Sequence, residues 1–531
     1  MKDRFSIHTI NRDSIESLVA VFQECLPDRS FGHGISRFNP LLKIINELHD
    51  LSACCAVEQS FVQDPDFLAE HEVYYSKWTA PIPRYCTRLH FFSEPPISDD
   101  LIESIDQMFE TPDAYLGFVT LRPIGISPIG ATIIRPAAKG GSMYLLSQDQ
   151  FKVNIAGRSF HVCGTPFMQQ DNAVGACAQA SIWMALRTLR RKEGQAAFSP
   201  AQITTAATRF LVMRRTLPNR GGLSLEQVSE AIRGAGYAPH MIPLRPFDAD
   251  ATPEMLAKMK RALYPYVESG IPVLLLLFPS KSEGHAVVLI GHSWNASPEN
   301  LIKLKTLEFG DTTTEVEIFD AASWVSPFII HNDNTGPYIP LHDSPGGEGF
   351  YCLAHAGYAL PLLQTDVFVD GSEAQECAIR FLEDSLLNVA PALCGAGQGS
   401  VSCSKLVMRT YLQDRSDFRR NVVEGDFSPD VKNYYRLKWL PKRIWVTELN
   451  LMDGYGANPG SGQLRIGEIL LDPAAEPEEG AFLSIRLAGC LIPDNQTGIT
   501  GIVIDRDAIS GNIEIMPVSG DSSTPLIRPS V

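Results

Sequence analysis

A cysteine, two glutamines, a histidine and an Asn-Asp pair are the residues of this chain whose types and placement could do acyl chemistry together. Cys177 follows Gln169-Gln170-Asp171-Asn172-Ala173-Val174-Gly175-Ala176, and helix formers begin at once with Ala178-Gln179-Ala180-Ser181-Ile182-Trp183-Met184. A cysteine opening a helix sits at the positive end of the helix dipole. That position favours the thiolate, which is the nucleophilic form. A glutamine a few residues upstream can donate its side-chain amide to a developing oxyanion. Gln170 is preferred for that role, with Gln169 as the alternative.

His285, in Gly284-His285-Ala286-Val287-Val288-Leu289-Ile290-Gly291-His292, opens an apolar strand at a sheet edge, where a base can face a cleft. His292 lies an odd seven residues further on and is expected on the opposite face. The apolar run ending in Ile330-His331-Asn332-Asp333 meets a Gly336-Pro337 turn. It leaves an amide and a carboxylate able to accept a hydrogen bond from an imidazole. Asp333, nearer the turn, is preferred as the orienting residue, and Asn332 is the alternative. Cys403 also precedes a stretch read as helical, but no histidine follows it in the chain.

The elements that must position these residues can be read from periodicity. Helical spacing marks 13–25, 39–56 and 99–109, the last capped by Asp99 or Ser98. Strands follow at 115–121 and 130–134, then a linker around Gly140-Gly141 and a hairpin over 151–163 turning at Ala156-Gly157. Beyond Cys177 the helix runs to about Arg191. Further helices are expected over 199–211, from Ser224 (whose spacing to Gln227 is that of a capping box) and over 252–269. Strands are expected at 273–278, 286–294, 316–319 and 324–331. Helices at 372–388 and 405–418 and strands at 443–448, 463–471, 481–487 and 501–505 complete the reading, with a loose tail over 517–531. Helices first and strands later, without βαβ alternation, indicate an α+β fold. The 531 residues are too many for one core, and three regions are expected: 1–145, 146–358 and 359–531.

The net charge of −16 and the lack of any long basic block argue against nucleic acid or an anionic membrane as a partner. The longest apolar run, Ile271 to Phe278, is far short of the roughly 20 residues a membrane span needs. No apolar segment opens the chain as a secretory signal would. The eleven cysteines show no CxxC spacing, so neither a zinc framework nor a disulfide scaffold is expected, and a cytoplasmic setting fits.

The order Gln, Cys at a helix start, His opening a strand, then Asp at a strand end resembles papain-like cysteine peptidases, and more closely their bacterial C39-like branch. The resemblance covers about residues 165–345 and rests on Ala176-Cys177-Ala178-Gln179-Ala180-Ser181-Ile182-Trp183-Met184, Gly284 to His292, and His331-Asn332-Asp333-Asn334-Thr335-Gly336-Pro337-Tyr338. It implies a papain-like core flanked by α+β accessory regions and a thiol hydrolase acting on a protein or peptide, with no cofactor or metal. In it Cys177 would be the nucleophile, His285 the base, Asp333 the residue holding the imidazole, and Gln170 with the Cys177 N–H the oxyanion hole. The same scaffold could instead be a catalytically silent module that binds a regulatory protein partner.

Overall fold

Helices and strands are interspersed through the N-terminal part, and its last two strands are buried along their whole length. The chain there runs β1 (Phe5–Thr9), α1 (Ile15–Cys25), α2 (Pro40–Asp50), β2 (Cys55–Val62), α3 (Pro65–Val73), β3 (Cys86–Phe92), α4 (Leu101–Phe109), β4 (Tyr115–Leu121) and β5 (Ile129–Ile134). The five strands form one antiparallel sheet in chain order. The helix expected to continue to residue 56 stops at Asp50, because Ser52 takes a positive φ of 57°. Cys54, Cys55, Ala56 and Val57 are then fully enclosed as the chain enters β2 between β1 and β3. The cap of α4 is Asp100, whose carboxylate accepts from the Glu103 N–H at 2.9 Å.

This computed structural model describes residues 4–517 apart from 27–38, 99, 126, 138–142, 171–176, 211–221, 247–250, 281–282, 309–314, 346–350, 386–404, 426, 428, 454, 457–463, 477–478, 488–489 and 495–515. The expected linker at Gly140-Gly141, Asp99, Cys403, the 501–505 strand and nearly all of the tail lie outside the described residues.

The middle of the chain holds β6 (Met143–Tyr144), the hairpin β7 (Asp149–Ile155) and β8 (Arg158–Gly164), α5 (Cys177–Lys192), α6 (Pro200–Ala207) and α7 (Leu225–Gly234). Short strands β9 (Ala238–Pro239) and β10 (Ile242–Pro243) precede α8 (Pro253–Glu268), β11 (Val273–Ser280) and β12 (Glu283–Trp294). Then come β13 (Lys303–Glu308), β14 (Glu315–Asp320), β15 (Val325–Asn332), β16 (Gly336–Leu341) and β17 (Ala356–Leu363). Ser199 and Ser224 each close a capping box with the glutamine three residues on. The central sheet is ordered β10-β17-β11-β12-β15-β16, so β12 is an interior strand. α5 lies over one face of it with Ala286, Val288 and Ile290, whereas Val287 and Leu289 face α8.

The C-terminal part adds α9 (Gly371–Asp384), β18 (Lys405–Asp414), β19 (Arg443–Leu451), β20 (Leu464–Leu471), β21 (Phe482–Leu487) and β22 (Cys490–Pro493). The helix expected from Lys405 is a strand up to Asp414, and a helix follows only over Arg415–Glu424. Leu406 to Leu412 are all buried, because β18 is an interior strand between β14 and β19 and helices α8 and α9 pack on it. A strand covered on both faces loses the alternation that would distinguish it from a helix.

The molecule is thus mixed α+β with mainly antiparallel sheets. Its sheets do not follow the boundaries expected from sequence. The β13–β14 hairpin, numbered within the middle region, belongs to the C-terminal sheet, where β14 pairs parallel with β18. The β7–β8 hairpin packs Phe151, Val153, Phe160 and Val162 against Cys55, Val57, Phe92 and Tyr115 of the N-terminal region. A boundary at 358 would cut through β17.

A buried ladder of charges ties α8 to the C-terminal sheet. Glu268 accepts from Arg409 of β18 and, at 3.0 Å, from His292 Nε2 of β12. Arg409 reaches Glu448 of β19 at 3.0 Å, Arg465 bridges Glu448 and Glu468 at 2.9 Å each, and Arg486 closes on Glu468. Glu448 and Glu468 are direct cross-strand partners, a like-charge pairing that only the interleaved arginines make tolerable. Removing one member of such a set leaves buried charge uncompensated, at a cost of about 3–5 kcal/mol. Arg409→Ala is therefore expected to lower the apparent unfolding temperature sharply in differential scanning fluorimetry, whereas an exposed arginine such as Arg420, replaced likewise, leaves it nearly unchanged.

Candidate functional site: a cysteine clamped to a histidine-bearing strand

Two side chains of α5, one turn apart, hold both backbone polar groups of Ala286. The Ala286 N–H donates to Cys177 Sγ at 3.4 Å, and Ser181 Oγ donates to the Ala286 carbonyl at 2.9 Å. Residues i and i+4 share a helix face, so a helix opening at Cys177 can present both. The β15 ladder joins β12 only from Val288, opposite His331. At Ala286 the helix therefore satisfies the backbone groups that must find partners once buried. The apolar face of α5, including Ile182, Ala185, Leu186 and Leu189, packs into the same core as Val288 and Ile290.

One residue before the clamped alanine, His285 is almost fully buried. Its Nε2 donates to Asn332 Oδ1 at 2.9 Å, and Asp333 Oδ1 lies 3.6 Å from the same nitrogen. Asn332 Oδ1 also accepts from the Asn334 N–H at 2.9 Å, which holds the amide oxygen toward the ring. An amide oxygen only accepts, so this bond assigns the proton to Nε2 and leaves Nδ1 with a lone pair. The ring of Tyr351 stacks on the imidazole, with centroids 4.7 Å apart and planes 16° from parallel.

Burial disfavours the charged form of each titratable group in the site. It pushes the Cys177 thiol up to about 11, an effect the nearby Asp333 adds to and the N–H groups of Ala286, Ala178 and Cys177 itself oppose. Burial lowers the His285 imidazole below its usual value, partly countered by the Asn332 hydrogen bond. The same burial holds the Asp333 carboxyl well above the usual carboxylate range, its own N–H opposing only in part. Among the described residues no hydrogen bond joins thiol to imidazole. The thiol meets the strand through the Ala286 backbone instead.

The structure thus brings Cys177, His285, Asn332 and Asp333 into one neighbourhood. Gln170 is half-buried, and the segment joining it to Cys177, residues 171–176, lies outside the described residues. Gln169 is tied elsewhere: its Oε1 accepts from the Ile129 N–H at 3.3 Å, and its carbonyl accepts from Arg122 at 3.1 Å. His331 is enclosed between Phe167 and Tyr338, and burial takes its ring down to about 3. His292 does not face away from His285 as alternation predicts. A register shift between Leu289 and Gly291 resets the pleat, and the ring turns to Glu268 on α8. Sequence reading missed Ser181 and Tyr351. The i+4 spacing from Cys177 could have flagged the serine, whereas Tyr351 follows the Gly-rich 346–350 stretch, which carries no periodicity.

A scan against models of known protein families finds no match to this chain, and a search of curated protein sequences finds none either.

Ser181→Ala would strand the buried Ala286 carbonyl. The expected result is a loss of about 1–3 kcal/mol in stability, read by denaturant titration, together with slower alkylation-sensitive chemistry at Cys177. Unchanged stability would mean the hydroxyl bond contributes nothing to seating the helix.

Proposed function

We propose that this protein is a thiol hydrolase with a papain-like core, most simply a cysteine peptidase acting on a protein or peptide amide. The observation that carries the reading is the seating of Cys177, at the start of α5, against the strand residue next to His285, whose Nδ1 is left basic by the Asn332 bond. In this reading Nδ1 takes the thiol proton as Sγ attacks the substrate carbonyl. The Cys177 N–H and the Gln170 amide receive the oxyanion. The imidazolium then protonates the leaving amine, and water, deprotonated by the same ring, cleaves the thioester. Asn332 is the nearer partner of the imidazole. The buried carboxyl of Asp333, held up by burial, would become more favourable as a carboxylate when His285 is charged. Substrate selection would fall to the accessory regions, and the acidic net charge gives no reason to invoke nucleic acid or an anionic membrane.

A second reading is favoured by one specific observation. The neutral thiol, lacking a bond to the ring, also suits a silent papain-like scaffold that binds a regulatory partner. The two readings part on acyl-enzyme chemistry. Incubation with an electrophilic peptide probe should give a stoichiometric covalent adduct on Cys177, located by peptide mass mapping. Cys177→Ser should remove it, and Asn332→Ala should slow it by up to about 10²-fold through loss of the correct tautomer. Equal labelling of wild type and Cys177→Ser would favour the silent scaffold.

A further inference from the structure

Away from this site, three side chains from separate elements of the N-terminal region converge. β1 and β2 pair with Ser6 opposite Glu58 and His8 opposite Ala56. His8 and Glu58 are therefore diagonal neighbours on one face. Cys25 closes α1 at helical spacing from Leu18, Val21 and Phe22, which are all buried. It is thus the last residue of the face that packs on the sheet, and it lies partly buried against the same core.

The ligand atoms of His8, Cys25 and Glu58 all lie within 4.8 Å of one another. His8 Nε2 stands 3.2 Å from Glu58 Oε2. A tetrahedral centre with bonds of roughly 2.0–2.3 Å places its ligand atoms about 3.3–3.7 Å apart, so the histidine and carboxylate already have nearly that separation. The surroundings are arranged for the same purpose. The other ring nitrogen, Nδ1, faces the Glu24 carboxylate at 3.5 Å, the outer-shell arrangement that fixes the tautomer of a metal-binding histidine. Ser6 and Ser60 donate to the two Glu58 oxygens at 2.9 and 3.0 Å and hold the carboxylate in place. Cys25 lies beside two carboxylates, Glu58 and Glu24, and a bound cation would displace its thiol proton.

We propose that His8, Cys25 and Glu58 bind a divalent cation of the zinc class, with water in the fourth position. One nitrogen, one sulfur and one oxygen donor suit a borderline-soft ion over calcium or magnesium, which take oxygen ligands. The ligands come from residues 8, 25 and 58, so no CxxC-type spacing announces the site in the sequence. The bound ion would pin the edge strand β1 and the end of α1 to β2, a structural role that is independent of the chemistry at Cys177.

The test is cobalt(II) titration of the full-length chain after chelator treatment. The expected result is saturable one-to-one binding with a thiolate-to-cobalt charge-transfer band that zinc abolishes. The band disappears in Cys25→Ser and persists in Cys177→Ser, and affinity falls by roughly 10- to 100-fold in Glu58→Gln. Circular dichroism matching wild type shows that each variant is folded, and Glu58→Gln alone decides the matter if Cys25→Ser does not fold. A folded wild type without a saturable band overturns the proposal. So does a band that survives Cys25→Ser, or one whose affinity is unchanged in Glu58→Gln.

Discussion

The grip of α5 on Ala286 is the constraint on which the site depends. One residue of β12 gives both of its backbone groups to one helix, through side chains a turn apart. That fixes the helix along the strand and around its own axis. Because Cys177 is both the first residue of the helix and one jaw of the clamp, the position of the thiol follows from backbone geometry and not from a flexible side chain. His285 is the next residue on the strand, so thiol and imidazole share a single rigid unit. Asn332 and Asp333 reach the ring because β15 is the neighbouring strand and ends there.

The same strand serves the other end of the molecule. His292, on β12, hydrogen-bonds Glu268, and Glu268 begins the ladder that runs through Arg409, Glu448, Arg465, Glu468 and Arg486 across the C-terminal sheet. Three carboxylates and three guanidinium groups balance one another in the interior. Buried ion sets are weak sources of net stability but strict about geometry, since any misplacement leaves a charge unpaired. In this molecule they register the central sheet against the C-terminal one. Shared apolar cores do the same on both sides of β12.

Much of the site could be read directly from the sequence. A helix opening at Cys177, a strand carrying His285 and an Asn332-Asp333 pair at a strand end all follow from periodicity and breakers, and all three elements are present. Their mutual distances could not be read, because they depend on contacts more than 100 residues apart, such as Ser181 to Ala286. The choice between Asn332 and Asp333 turns on 0.7 Å (3.6 Å against 2.9 Å to Nε2), which no sequence pattern encodes. Elsewhere the errors share a cause. The start of β2 (Cys55 to Val57) and Leu406 to Leu412 of β18 are buried on both faces, so neither stretch shows alternation, and each overlaps a stretch that helical spacing marks. The pleat reset at Leu289–Gly291 likewise moved His292 to the face opposite the one alternation assigns. The pairing across regions was not legible either: the β13–β14 hairpin joins the C-terminal sheet through β14, which pairs with a strand some 90 residues later, as the Glu317–Lys405 register shows.

The central claim is that the fold pairs the Cys177 thiol with the His285 imidazole, although both are neutral at rest. The most direct measurement is the pH dependence of Cys177 alkylation by iodoacetamide in wild type and His285→Ala, followed by mass spectrometry of the Cys177 peptide. A thiol held up at about 11 by burial alone would become reactive only as pH rises toward that value. If His285 serves as its base, wild type has in addition a reactive plateau near neutral pH. That plateau sets in as pH rises through the lowered pKa of the imidazole and is absent from His285→Ala. Superimposable profiles for the two proteins, rising only at alkaline pH, would contradict the account.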